Sequence, residues 1–199
     1  MKKKILVCLS YYSPYVSGIS EFAKLSAEIL SKTYDVTVLT GKHATSLPEQ
    51  EMVNGVRVVR ATPIIFLHKG YLSVDFLRKY RRLAMDSDVI NIHAPMLEAG
   101  LLALITPKQK PISLTYHCDL AFAGGLIDRL AVRLTQLSSR LCAKRATSIF
   151  VTTKDYARKS KILSGLEGKL VETFCPTKSK KGRFQTKRAN EFFTIGFVG

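Results

Sequence analysis

The stretch ILVCLSYYSPYVSGISEFAKLSAEILSKTYDVTVLT, Ile5 to Thr40, decides the fold. Ile5 to Leu9 is an unbroken apolar run, the mark of a parallel strand buried on both faces. Ser10 to Gly18 carries Pro14 and ends in a glycine, a loop rich in breakers. Ile19, Phe22, Ala23, Ser26, Ile29 and Leu30 then recur at helical spacing, with Ser17 or Ser20 able to cap the first turn. Val36 to Thr40 is a second strand. Strand, glycine turn, helix, strand is one βαβ unit, and it implies a parallel sheet with a right-handed crossover.

The alternation continues outward from that unit. Asn54-Gly55 marks a turn before a strand at Val56 to Arg60. Ser73 can cap a helix bearing Phe76, Leu77, Tyr80, Leu83 and Ala84. Val89 to His93 reads as a strand closed by Ala94-Pro95, Glu98 to Ile105 as a short helix, and Ile112 to Tyr116 as a strand ending at His117. A long helix is expected from Asp128 to Ala146, with Leu130, Leu134, Leu137 and Leu141 facing inward. Ser148 to Thr152 is the next strand and Asp155 to Leu163 the next helix. Residues 1–175 thus read as an α/β, Rossmann-like, doubly wound and mainly parallel sheet domain. Residues 176–190 carry Pro176 and many Lys and Arg with no acid, and read as a basic linker. The apolar end at 191–199 reads as the first strand of a second domain.

Composition excludes several classes. A hydrophobic fraction of 46% and a charged fraction of 23% are those of a globular chain, not of a fibre or a disordered polymer. No apolar run reaches the roughly 20 residues that a membrane-spanning helix needs. Met1 to Lys4 before Ile5 imitates an export signal, but Ser10 to Pro14 interrupts the apolar run and no small-residue cleavage site follows. Cys8, Cys118, Cys142 and Cys175 form no CxxC pair, so free thiols in a reducing cytosol are expected. The 199 residues carry a formal charge of +16, and eighteen of the 31 basic residues lie beyond residue 100. Such a field attracts phosphate-bearing partners, whether nucleotide, anionic lipid or nucleic acid.

Ligands of open parallel sheets bind beyond the carboxyl ends of the strands. Four polar groups fall there: the Ser17-Gly18-Ile19 turn, His93, His117 with Asp119, and Thr152-Thr153. The first opens a helix, so its backbone N–H groups can face a phosphate, or the glycine can serve only a tight turn. It is not G-x-G-x-x-G, which disfavours a dinucleotide cofactor. His117 can accept a proton, bond a sugar or phosphate, or be satisfied by its own loop. Asp86-Ser87-Asp88 spells DxD but begins a strand, at the wrong edge for a metal under a diphosphate, so no metal is expected. Two basic helices remain. Arg78, Lys79, Arg81 and Arg82 lie among aromatic residues, and Arg129, Arg133, Arg140 and Lys144 share one face. Each can lie on an anionic membrane surface or be a solvated face. No DNA- or RNA-binding motif is visible, so nucleic acid is not an expected partner.

Taken together, Tyr12-Ser13-Pro14, Ser17-Gly18-Ile19-Ser20, Tyr34 to Thr40, Asn54 to Val58, Asp88 to His93, Thr115-Tyr116-His117-Cys118-Asp119, Val151 to Tyr156 and Ile195 to Gly199 resemble the N-terminal half of family 4 glycosyltransferases of GT-B fold. The resemblance spans nearly the whole chain. It implies a retaining enzyme that moves a sugar from a nucleotide-sugar donor to a glycan or lipid-linked acceptor in cell-surface polysaccharide or glycolipid synthesis. It places acceptor binding on this half and most of the donor on a C-terminal half, supplied in cis or as a separate chain. Ser17, Gly18 and Ile19 would approach the donor diphosphate, with His93 and Thr153 at the substrate, and His117 and Asp119 would be the catalytic pair. No metal or other cofactor is implied. The protein would be cytoplasmic, at the inner face of the membrane, and this half alone would be inactive. Where the family turn carries two glycines, this chain has Ser17 in place of the first. The alternative from charge alone is a non-catalytic basic module on anionic membrane or nucleic acid.

Overall fold

The structure is a computed structural model, and it describes residues 2–67, 70–121 and 124–177. The strands are β1 (Lys4–Cys8), β2 (Asp35–Gly41), β3 (Gln50–Val53), β4 (Val56–Ala61), β5 (Ile65–Leu67), β6 (Gly70–Leu72), β7 (Val89–Ala94), β8 (Ile112–Tyr116), β9 (Ser148–Val151) and β10 (Leu170–Glu172). The helices are α1 (Gly18–Leu30), α2 (Val74–Asp86), α3 (Ala99–Ile105), α4 (Leu126–Arg145) and α5 (Lys154–Lys159). Eight strands form one sheet in the order β10-β9-β8-β7-β1-β2-β4-β3, parallel except for β3. This is the doubly wound sheet expected, with β1 at the point where the order reverses. Of the linker expected at 176–190, the part beyond Thr177 lies outside the described residues, as does the strand expected at 191–199.

Four strands escape sequence reasoning because each is short and polar or is a hairpin partner. β3 pairs antiparallel with β4 across Asn54-Gly55, and both turn residues have positive φ, 49° and 82°. That is the left-handed pair a two-residue hairpin turn demands. β5 and β6 make a separate hairpin, and β10 adds an edge of three residues.

Alternation along the strands divides the core in two. Leu6, Cys8, Leu39, Val59, Ile90, Ile92, Leu114 and Tyr116 face α2, α3 and α4 in one apolar cluster. Val7, Leu9, Val36, Val38, Val56 and Val58 face α1 in the other. Arg60 on β4 has a fully buried side chain, held by Glu51 at 2.5 Å and by the carbonyl of Ser13 at 2.8 Å. It ties the edge hairpin to the loop after β1. Cys8 and Cys142 are buried, Cys118 and Cys175 exposed, and none of the four is in a disulfide.

The long helix corrects one expectation. Leu130, Leu134, Leu137 and Leu141 face outward, with exposures from 39% to 59%. The buried side of α4 is instead Ser139, Cys142 and Ala143. The reason is close approach to α3: a Cβ on Gly100 would meet the backbone of Ser138 at 2.8 Å, and the Ser138 hydroxyl accepts from Gly100 N–H at 2.7 Å. At that separation only small side chains fit, so the leucines turn away.

Candidate functional site

β7 and β8 pair with His93 opposite Thr115. Ile90, Ile92, Leu114 and Tyr116 occupy one face, so Asn91, His93, Ser113, Thr115 and His117 share the other, toward α1. Asn91 Nδ2 donates to Ser113 Oγ at 2.9 Å and to Thr115 Oγ1 at 3.0 Å, a polar ladder leading to the carboxyl edge. At that edge His93 and His117 are diagonal neighbours. His93 Nδ1 and His117 Nε2 lie 3.0 Å apart, with the rings stacked at 25°. Phe22 of α1 packs edge-on against both, 5.1 Å from His117 and 6.1 Å from His93. The two histidines that sequence reasoning treated separately are one hydrogen-bonded unit.

Burial, reinforced by the neighbouring His117, lowers the pKa of His93 to about 3, and burial lowers that of His117 to about 4. Both rings are therefore neutral at pH 7. A bond between two neutral imidazoles requires complementary tautomers. When His93 Nδ1–H donates, His117 Nδ1 carries the remaining proton and is a donor. When His117 Nε2–H donates, its Nδ1 is an acceptor. His93 thus sets what His117 offers a ligand.

Asp119 is held by partners other than His117. Its Oδ1 accepts from the hydroxyls of Tyr116 and Ser160, and its N–H donates to Tyr156 Oη at 2.6 Å. Its described bonds fasten the end of β8 to α5 and its following turn, and none reaches His117. Ser17 and Thr153 are both helix caps. Ser17 Oγ accepts from Ser20 N–H while Ser20 Oγ accepts from Ser17 N–H, and Thr153 Oγ1 accepts from Tyr156 N–H. The N–H groups of Gly18 and Ile19 have no protein acceptor among the described residues, as the first turn of a helix leaves them. A Cβ on Gly18 would meet nothing within 4 Å, so the turn opens onto free space.

Other groups at the same edge carried no strong sequence signal. Tyr11, Tyr15 and His43 cluster with Tyr71, ring centroids 4.9 to 6.3 Å apart. Glu98, between the cis Ala94-Pro95 bond and α3, is 6% exposed and its Oε1 has no partner among the described residues. Burial pushes its carboxyl up to about 7. The Tyr71 hydroxyl is likewise buried and unpartnered, and the Glu98 charge acts on Tyr11 and Tyr71. The doublet Tyr11-Tyr12 at the end of β1 was the one available hint.

The basic stripes are also redrawn. Arg78, Arg81 and Arg82 are exposed, but Lys79 is buried, its ammonium 2.6 Å from Glu49 and 2.8 Å from Asp75. Lys79 is a structural cation, not a surface one. On α4, Arg129, Arg133 and Lys144 are exposed, whereas Arg140 is half-buried and donates to the carbonyls of Lys161 and Ile162. Asp86 and Asp88 both serve Lys4, at the opposite edge of the sheet. Among the described residues no group of three His, Cys, Asp or Glu could hold a metal ion.

A mainly parallel sheet of this order, with its polar groups gathered at the switch point, is the Rossmann-like half of a GT-B glycosyltransferase fold. Residues 17–165 match the family described as the glycosyl transferase 4-like domain, and the chain belongs to that family. No curated protein matches the sequence. Among solved structures, an α-glucosyltransferase in complex with UDP and a 13-mer DNA is similar at TM-score 0.57 and 12% identity, over 89% of this chain and 43% of that one. Sucrose-phosphate synthase from Thermosynechococcus elongatus follows at 0.54 and 10%, over 79% and 44%. Anabaena Alr3699/HepE in complex with UDP and glucose is similar at 0.53 and 16%, over 88% and 45%. The chain therefore spans less than half the length of these proteins, and the likeness is one of fold.

Proposed function

We propose that this chain is the acceptor-side half of a retaining, metal-independent glycosyltransferase, which moves a sugar from a nucleotide-sugar donor to a glycan or lipid-linked acceptor in cell-surface glycan synthesis. The observation that carries the reading is the neutral His93–His117 pair at the switch point, beside the open first turn of α1. Retaining transfer develops positive charge on the sugar, and an imidazolium there would oppose it. A neutral His117 can instead hold a hydroxyl of the transferred sugar, oriented by His93. The free N–H groups of Gly18 and Ile19 suit a diphosphate oxygen. Tyr11, Tyr15, His43 and Glu98 Oε1 offer ring faces and an acceptor for sugar hydroxyls, as an acceptor wall requires. The donor-binding half is supplied in cis or by a second chain. Asp119 acts in this reading by positioning the end of β8.

The test is transfer of labelled sugar from UDP-sugars, assayed with this chain and its donor-binding half on lipid extract, free glycans and duplex DNA. His117→Ala is expected to lower kcat by about a hundredfold or more, and His93→Phe by a smaller factor with KM little changed. Wild-type turnover in His117→Ala removes His117 from the mechanism. Transfer confined to DNA would replace the glycan acceptor with nucleic acid, to which the +16 charge is equally suited.

A further inference from the structure

Among the described residues, the buried Lys, Arg, Asp and Glu side chains are Arg60, Lys79 and Glu98. The two cations are matched. Arg60 has Glu51 at 2.5 Å, and Lys79 has Glu49 at 2.6 Å and Asp75 at 2.8 Å. Glu98 is not. Its carboxyl is acted on by burial and by its own backbone N–H, with no Lys or Arg among the described residues contributing, and its Oε1 has no hydrogen-bond partner among them. A buried carboxylate without a counter-charge is costly. With 31 basic and 15 acidic residues, the chain does not lack cations to supply one.

The rings beside Glu98 form a graded path to solvent. Tyr71 is innermost, 1% exposed, with its hydroxyl buried and also without a partner among the described residues. Its ring crosses the end of β2, where a Cβ on Gly41 would sit 2.7 Å from the hydroxyl oxygen, so glycine makes the room. Half-buried Tyr11 lies 5.5 Å from Tyr71 by ring centroids, and Tyr15, 39% exposed, lies 4.9 Å from Tyr11. His43 stands edge-on to Tyr11 and Tyr15. Burial and the Arg60 charge lower the His43 pKa from 6.5, so at pH 7 it adds a ring without a competing charge. The Glu98 charge acts on Tyr71 and Tyr11, which places the carboxyl at the inner end of this path.

We propose that Glu98, Tyr71 and Tyr11 form a subsite for a ligand ammonium group, so that the acceptor carries an amino sugar whose amine is unacylated. This deepens the acceptor side of the proposed function and rests on it. An ammonium brings three donors and one positive charge. It gives Glu98 Oε1 both the donor and the counter-charge it lacks, and offers Tyr71 Oη a second donor. The tyrosine faces attract a cation through their ring quadrupoles. A sugar hydroxyl supplies a donor but leaves the carboxylate charge uncompensated, and an N-acetyl group does the same with added bulk. Glu98, pushed up to about 7 by burial, gives up its proton as the cation enters.

The experiment is titration calorimetry of the full 199-residue chain at pH 7 with β-1,4-linked trimers of glucosamine, N-acetylglucosamine and glucose. The glucosamine trimer is expected to bind about tenfold tighter or more than either neutral trimer. The preference should survive about 0.5 M salt, because a buried pair is screened far less than a surface one. Glu98→Gln, nearly the same shape, should erase the preference, and Tyr71→Phe should reduce it by a smaller factor. Urea unfolding at pH 7 checks that both variants fold. Equal binding of the three trimers, binding of none, or an amine preference that persists in Glu98→Gln overturns the subsite. So does a preference that salt removes. Transfer assays in the assembled enzyme keep the two readings apart. Transfer to neutral acceptors with no amine preference sinks the subsite alone, and amine-selective binding without any transfer sinks the enzymatic reading alone.

Discussion

The neutral histidine pair makes the chain's stability fall with acid in a way that Glu98 partly conceals. His93 and His117 have an ordinary pKa of 6.5 when unfolded and about 3 and about 4 when folded. At pH 5.5 the unfolded chain therefore carries close to two protons on them and the native state almost none. Stability from this pair is complete above pH 6.5 and is lost as pH falls toward the folded values. Each proton bound only by the unfolded chain contributes a slope of about 1.4 kcal/mol per pH unit. Glu98 works the other way. Its carboxyl titrates near 7 folded and 4.5 unfolded, so at pH 5.5 the native state holds one proton that the unfolded chain lacks. The net excess is roughly one proton, and wild type should lose about 1.4 kcal/mol between pH 6 and pH 5.

Glu98→Gln removes the offset and should nearly double the loss, to about 2.5 kcal/mol over the same interval. His93→Asn removes one of the two histidine protons and should lower the slope by about 1.4 kcal/mol per pH unit relative to wild type. His43, also lowered by burial, adds the same sign to every variant and leaves the differences untouched. Urea unfolding at pH 7, 6 and 5 measures all three profiles, with the m-value checked for constancy. Carboxylates held low by partners, such as Asp75 beside Lys79, titrate below this window. Equal slopes for wild type and Glu98→Gln would refute a raised Glu98 carboxyl, and a flat profile for Glu98→Gln would refute the neutral pair.

Gly18→Ala should leave stability unchanged or raise it by up to about 1 kcal/mol, because its Cβ meets nothing and alanine favours a helix. The same variant should weaken UDP-sugar turnover in the assembled enzyme; unchanged turnover would show that no phosphate approaches the turn. Lys79→Met should cost about 1–3 kcal/mol in urea unfolding and Arg81→Ala less than about 0.5, separating the buried from the exposed cation of one helix. Glu51→Gln leaves the buried Arg60 without its anion and should cost about 2–3 kcal/mol, with faster proteolysis of the Ser10–Ser17 loop that Arg60 holds through Ser13.

Much of the fold was legible because a buried parallel strand announces itself. Ile5 to Leu9 is apolar on both faces and Val36 to Leu39 is apolar but for Thr37, and the structure packs both faces of each strand. β3 was not legible, since Gln50, Glu51 and Met52 show no such run and pair only because Asn54-Gly55 turns the chain back. The site was legible one residue at a time. His93 and His117 were each found at a strand end, but their bond depends on register, with His93 opposite Thr115 and His117 two residues further on the same face. No spacing along a single chain encodes that. Ser17 and Thr153 were found for their position, and their hydroxyls turn out to be spent on caps.

The leucines of α4 show the deeper limit of periodicity. A repeat of three and four residues says that six apolar side chains share a helix face, but not which neighbour, if any, they face. That is decided by the opposite side of the helix. Ser138, Ser139, Cys142 and Ala143 allow α3 to approach until Gly100 touches the Ser138 backbone, and no leucine could occupy such a gap. Small residues at three- and four-residue spacing were therefore the true packing signal in this segment. The leucines are left exposed among the described residues. Mutating the small face tests this order of precedence. Gly100→Leu should force the helices apart and destabilise the chain by several kcal/mol, a cost of overpacking that exceeds about 1–3 kcal/mol because backbone stands in the way. Leu137→Ala, on the opposite side, should cost less than about 1 kcal/mol, far below a buried leucine's 2–5. Thermal or urea unfolding of both variants decides it. A costly Leu137→Ala in the isolated chain would mean that this face is already covered within the fold.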